Sequence, residues 1–169
     1  MPKMRPLRKV GVEYLDQAPV HEVLTQDIAT SADAAFRALE DAESWPEFLG
    51  PITEVIWTSP RPFGVGTTRT IKGRGATIDE EFWGWEDGLA MGFCFTAASM
   101  PIFGAFAEEW RVEPTGDDSC RLIWRYAWET AGFARVLQPM IAFGFKRQGV
   151  GGLEKFADYM VANKAKYDG

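Results

Sequence analysis

The chain is 169 residues long with 46% hydrophobic content, enough to bury one full core without disulfides or metals and too much for a disordered chain. Its net charge of −6 and isoelectric point near 4.9 argue against nucleic acid as a partner, because neutralising phosphates takes a patch of Lys and Arg. Aromatic residues make up 14%, with 7 Trp and 12 Phe, so either the core is rich in rings or rings border a cavity.

Residues 1–19 read as an N-terminal extension. Pro2, Pro6 and Pro19 interrupt regular structure, residues 10–15 allow at most a short strand, and the basic residues from Lys3 to Lys9 read as a solvated end. No apolar stretch follows them as in a signal peptide, and no run of about 18 apolar residues exists. A cytoplasmic protein with no integral membrane association is expected.

The domain proper is assigned to residues 20–169. A strand over 20–29 opens near His21, the single histidine, and places Leu24 and Ile28 on one face and Val23 on the other. Ser31 or Thr30 then caps a helix whose apolar face is Ala32, Ala35, Phe36 and Leu39. Trp45-Pro46 begins a shorter helix that stops at Gly50-Pro51. Strands follow over 52–59, 67–72, 76–85, 89–96, 104–113 and 120–130, broken by Gly-rich turns and by an apolar loop at 97–103. Gly64 and Gly66 mark a turn between strands and not a phosphate loop, because no Lys-Ser/Thr follows.

In the last strand Leu122, Trp124, Tyr126 and Trp128 share one face, and Arg121, Arg125 and Glu129 share the other. That period of two predicts an antiparallel sheet with one wet side. From about 133 to 166 the apolar residues recur at three- and four-residue steps, predicting a helix of about 28 residues and ~40 Å. Pro139 either starts or bends it, and Gly144, Gly149, Gly151 and Gly152 weaken it by up to ~1 kcal/mol each. Those glycines call for close approach of the sheet or for room beneath the helix.

Two acidic groups stand out. Asp79, Glu80 and Glu81 are consecutive in a strand, so at least one carboxylate points away from its neighbours. Glu108 shares parity with Phe106, Trp110 and Val112; facing inward it would sit on an apolar wall with its pKa raised by desolvation, as an acid or base for enol chemistry. A bulge turning it outward, or an arginine pairing it, is the competing reading; Arg111 and Arg125 are available, with parity favouring the wet face. The row Trp124, Tyr126 and Trp128 is a candidate cavity wall, and Met100, Phe103 and Phe106 a candidate gate. His21 reads as a strand-edge residue. Cys94 and Cys120 lie in apolar runs without metal-ligand spacing and read as buried thiols.

The order strand, two short helices, six antiparallel strands and long amphipathic helix resembles the START-like, helix-grip superfamily. Within it, the chain resembles the bacterial polyketide cyclase/dehydrase and lipid-transport family. The residues that carry the resemblance are I-A-T-S-A-D-A-A-F-R-A-L-E-D at 28–41, S-W-P-E-F at 44–48, G-V-G-T at 64–67, W-E-D-G-L at 85–89, and W-R-V-E-P with C-R-L-I-W-R-Y within 110–126. It covers residues 20–166.

The resemblance implies an α+β fold, a curved seven-stranded antiparallel sheet around the C-terminal helix, with a cavity for a hydrophobic lipid-like or aromatic polyketide-like molecule between them. The expected lining is Phe106, Glu108, Trp110, Trp124, Tyr126, Trp128, Met140, Phe145 and Phe156. Three functions follow as expectations: binding or transport of such a ligand; a cyclase/aromatase- or dehydratase-like enzyme using Glu108; or a protein-interaction module. No cofactor or metal is expected, and the protein is expected to be a monomer or homodimer.

Overall fold

The computed structural model describes residues 3–168, so Pro2 and the last residue of the assigned domain lie outside the described residues. The extension contributes a two-residue strand, β1 (Arg5–Pro6), and one helical turn, α1 (Tyr14–Gln17). Then come β2 (Val20–Ile28), α2 (Ala32–Glu40) and α3 (Trp45–Phe48). The Ser31 hydroxyl accepts from the Ala34 amide at 3.2 Å, satisfying a first-turn donor of α2. Six strands follow: β3 (Ile52–Trp57), β4 (Thr68–Gly73), β5 (Ala76–Glu86), β6 (Ala90–Ala98), β7 (Phe103–Gly116) and β8 (Ser119–Thr130). A 3₁₀ segment (Gly132–Leu137) leads into α4 (Gln138–Ala162), and α5 (Lys164–Tyr167) closes the chain.

The sheet runs β2-β8-β7-β6-β5-β4-β3, all neighbours antiparallel, with β1 added beside part of β6. Seven strands and a long helix on the concave face are the helix-grip arrangement. Of the two expected roles for Pro139, the structure shows the start: it lies in the first turn of α4, where its missing N–H has no intrahelical partner to lose. A Cβ on Gly149 would lie 2.8 Å from both Leu24 and Trp124, and one on Gly152 would lie 2.7 Å from Leu49. These two glycines let α4 press onto the sheet and α3; Gly144 and Gly151 face open space.

The extension is not a detached end. Tyr14, Leu15 and Ala18 bury Cys94, Ala105, Ala107 and Ala127 on the convex face of the sheet. Asp16 pairs with Arg125 at 2.8 Å and Arg8 with Glu129 at 2.9 Å. The side of β8 expected to be wet is therefore partly roofed by residues 3–18. The apolar loop is also shorter than expected, because β6 and β7 extend to leave only 99–102 between them. Among the described residues no helix is long and apolar enough to cross a membrane.

A candidate ligand cavity

Between the concave sheet face and α4 lies a cavity of about 290 Å³. Rings and aliphatic side chains from every layer form its walls: Trp45 and Leu49 around α3, Ile71 and Ile78 from β4 and β5, Phe93, Phe95 and Phe106 from β6 and β7, Trp124 from β8 and Phe145 from α4. Pro51, Arg74 and Gln148 are exposed lining residues, with half-buried Met100 and Phe103 beside them, so the cavity opens between the β4–β5 hairpin, the loop before β3, the β6–β7 loop and α4.

Besides Arg74 at the opening, three charged or titratable side chains interrupt the apolar wall. Arg69 on β4 stands directly opposite Glu80 on β5 in the ladder, and its Nε donates to Glu80 Oε2 at 2.5 Å. They are only 1% and 4% exposed. The guanidinium lies 4.3 Å from the Trp45 ring and 4.5 Å from that of Phe93, a favourable position over π-faces for a desolvated cation. Its Nη1, buried, has no hydrogen-bond partner among the described residues. A buried charged donor left unfilled is costly, and the residue that carries it lines the hollow.

Glu108 on β7 is the third. Its Oε2 accepts from the indole N–H groups of Trp110 and Trp124, both at 2.8 Å, and the two rings stack with centroids 4.6 Å apart. Burial, and next the negative charge of Glu80, push the Glu108 carboxyl up to about 8, while the indole bonds and Arg69 pull against that shift. Burial favours its neutral, carboxylic acid form. With two donors on Oε2, the proton belongs on Oε1. Burial also raises Glu80, opposed by the adjacent Arg69 charge.

Of the residues expected to line the cavity, Phe106, Glu108, Trp124 and Phe145 do so. Trp110 is fully buried behind Glu108, against Trp45. Tyr126 and Trp128 face inward with Trp124, as alternation requires, but Phe145 covers them at centroid distances of 4.8 and 6.3 Å and they do not border the space. Phe156 packs on Phe48, 4.9 Å away, in solid core. Met140 is corrected outright: it is largely exposed on the outer side of α4, because five helical residues from Phe145 turn it well away from the wall. Of the three consecutive acids, only Glu80 is buried; Asp79 bonds Thr70 and Glu81 pairs with Lys9. His21 is exposed and within 3.0 Å of the Ala18 carbonyl.

Sequence reasoning missed Arg69 and Trp45. The signal for Arg69 was its parity with Ile71, which places it on the buried face of a strand. Among the described residues, no group of three or more His, Cys, Asp or Glu is arranged to hold a metal ion.

The fold is START-like, with a ring-lined hollow between sheet and helix, and solved structures agree on the fold. The Zhui aromatase/cyclase of a Streptomyces species superposes with a TM-score of 0.72 at 15% identity, over 85% of this chain and 94% of that one. A START superfamily protein from Mycobacterium smegmatis gives 0.61 at 13% identity, over 80% and 97%. An uncharacterised protein of Mycobacterium tuberculosis is 40% identical over 151 residues, 85% of this chain and 89% of its own length. The family described as polyketide cyclase/dehydrase and lipid transport matches residues 19–161, and the chain belongs to that family.

Proposed function

We propose that the protein binds one compact, mostly apolar molecule carrying a hydrogen-bond-accepting oxygen. The oxygen is held by Arg69 Nη1 and by the Glu108 carboxylic acid, and the rings of Trp45, Phe93, Phe106 and Trp124 enclose the rest. The observation that carries this reading is the unfilled Arg69 donor in the wall of a ring-lined cavity. A volume of about 290 Å³ stands at the small end of ligand sites, ~300–1,000 Å³, which favours a fused-ring or single-chain molecule. Affinity comes from burying apolar area at ~25 cal/mol per Å², and the polar pair selects the pose.

Calorimetry with acetonaphthone and with ethylnaphthalene, a hydrocarbon of nearly the same shape, tests this reading. The ketone should bind at least about tenfold more tightly, because only it fills the buried donor. The double variant Arg69→Met/Glu80→Leu should lose that preference. Equal affinities in the unaltered protein would overturn the proposal.

A second reading, catalysis, is favoured by one observation: a carboxyl held near 8 beside a charged donor is poised for proton transfer close to neutral pH. With the carbonyl oxygen on Arg69, ionised Glu108 would remove a proton from the adjacent carbon and return it. In deuterated water the methyl protons of acetonaphthone should then exchange at a rate that climbs with pH through about 8. Glu108→Gln should bring exchange to background while leaving affinity within a few fold. Unchanged exchange in that variant removes Glu108 from the role.

A further inference from the structure

Phe133, Val136, Met140 and Phe143 are 83%, 72%, 65% and 71% exposed. Their spacing of three, four and three residues puts them in one stripe along the outside of the 3₁₀ segment and the start of α4, with Arg147 and half-exposed Val150 next in line. An aromatic side chain presents roughly 150–250 Å², so the two phenylalanines alone leave about 300 Å² of ring in water. That approaches the largest single patch of a typical monomer.

The charge around this stripe has the opposite sign to the molecule. The chain carries −6 overall, yet has no Asp or Glu between Glu129 and Glu154. Among the described residues most lysines and arginines pair with carboxylates, Lys146 with Glu22 included, whereas Arg135 and Arg147 have no ion pair. Two more unpaired guanidiniums lie at the same end. Arg74 is on the cavity rim, and Arg5 borders a shallow hollow together with Phe133 and Met100. Met100 also lines the ligand cavity, so the stripe adjoins its mouth.

We infer that this face docks peripherally on an anionic lipid bilayer, with Phe133, Val136, Met140 and Phe143 in the acyl boundary and Arg5, Arg74, Arg135 and Arg147 at the phosphates. A second copy is the poorer occupant: a two-fold contact brings the same patch against itself and sets unpaired arginines against arginines. A bilayer bearing acidic headgroups matches both the grease and the charge. Docking sets the cavity mouth at the lipid surface. The inference does not depend on what the cavity holds.

Flotation of the full chain with phosphatidylcholine vesicles, with and without phosphatidylglycerol, and with no cavity ligand added, is the test. Binding should be at least about tenfold stronger to the phosphatidylglycerol vesicles and should weaken with salt. Phe133→Ser/Phe143→Ser should bring binding to background with thermal unfolding unchanged. Arg135→Gln/Arg147→Gln should weaken it by about fivefold per arginine. Three results would each overturn the inference: no partition of the unaltered protein, partition indifferent to both double variants, or a dimer in sedimentation equilibrium that Phe133→Ser/Phe143→Ser dissociates.

Discussion

Ionising Glu108 inside the hollow costs free energy that the unfolded chain does not incur. Its folded value of about 8 lies above the ordinary glutamate value of about 4.3. Between those values the native state keeps a proton that the unfolded state has released. The stability this group contributes is complete below the lower value and is lost as pH rises through the upper one. Urea unfolding across about pH 5 to 8 should therefore show a decline that Glu108→Gln flattens. The Arg69–Glu80 pair makes a different prediction. Arg69→Met alone strands a buried carboxylate and should cost ~3–5 kcal/mol, whereas Arg69→Met/Glu80→Leu should recover most of it. The inward parity of Glu108 was legible because Phe106, Trp110 and Val112 share it. Arg69 shares inward parity with Ile71 in the same way, but its pairing was not legible, because its partner Glu80 lies eleven residues on in the next strand and the register joining them is a tertiary fact.

Helix α4 carries both an enclosed and an open face, and the glycines separate the two. Alanine at Gly149 would meet Leu24 and Trp124 at 2.8 Å. Overpacking there costs ~1–3 kcal/mol against a helix-propensity gain of at most ~1, so Gly149→Ala should lower the melting temperature. Gly144→Ala meets nothing within 4 Å and should raise it, gaining ~0.5–1 kcal/mol. A pair that moved in the same direction would contradict the close approach described for Gly149. The existence of this helix was plain from three- and four-residue spacing; its facing was not. Two apolar stripes run along it, and periodicity alone cannot say which meets the sheet. Met140 therefore read as buried and is exposed, while Phe145, five residues on, is the residue that roofs Tyr126 and Trp128.

At the scale of the whole molecule, the succession of strands followed from alternation and turn residues, and the grip of sheet on helix from the family resemblance that the order of elements carries. The role of residues 3–18 did not, because their few apolar side chains match no period and gain meaning only against the small residues Ala105, Ala107 and Ala127. Leu15→Ala should cost about 2 kcal/mol, at the low end for core truncations because a site near the surface can partly collapse. Burial raises the Cys94 thiol. Removing residues 1–17 should uncover it and speed its reaction with a disulfide reagent about tenfold; unchanged reactivity would show that something else shields it. One connection has a consequence for synthesis. β2 finds its place beside β8, about a hundred residues further along. On the ribosome it waits unpaired while the meander forms, and the ring-bearing trough stays uncovered until α4 has emerged. A hydrophobic guest present during translation would meet that trough before its lid was made.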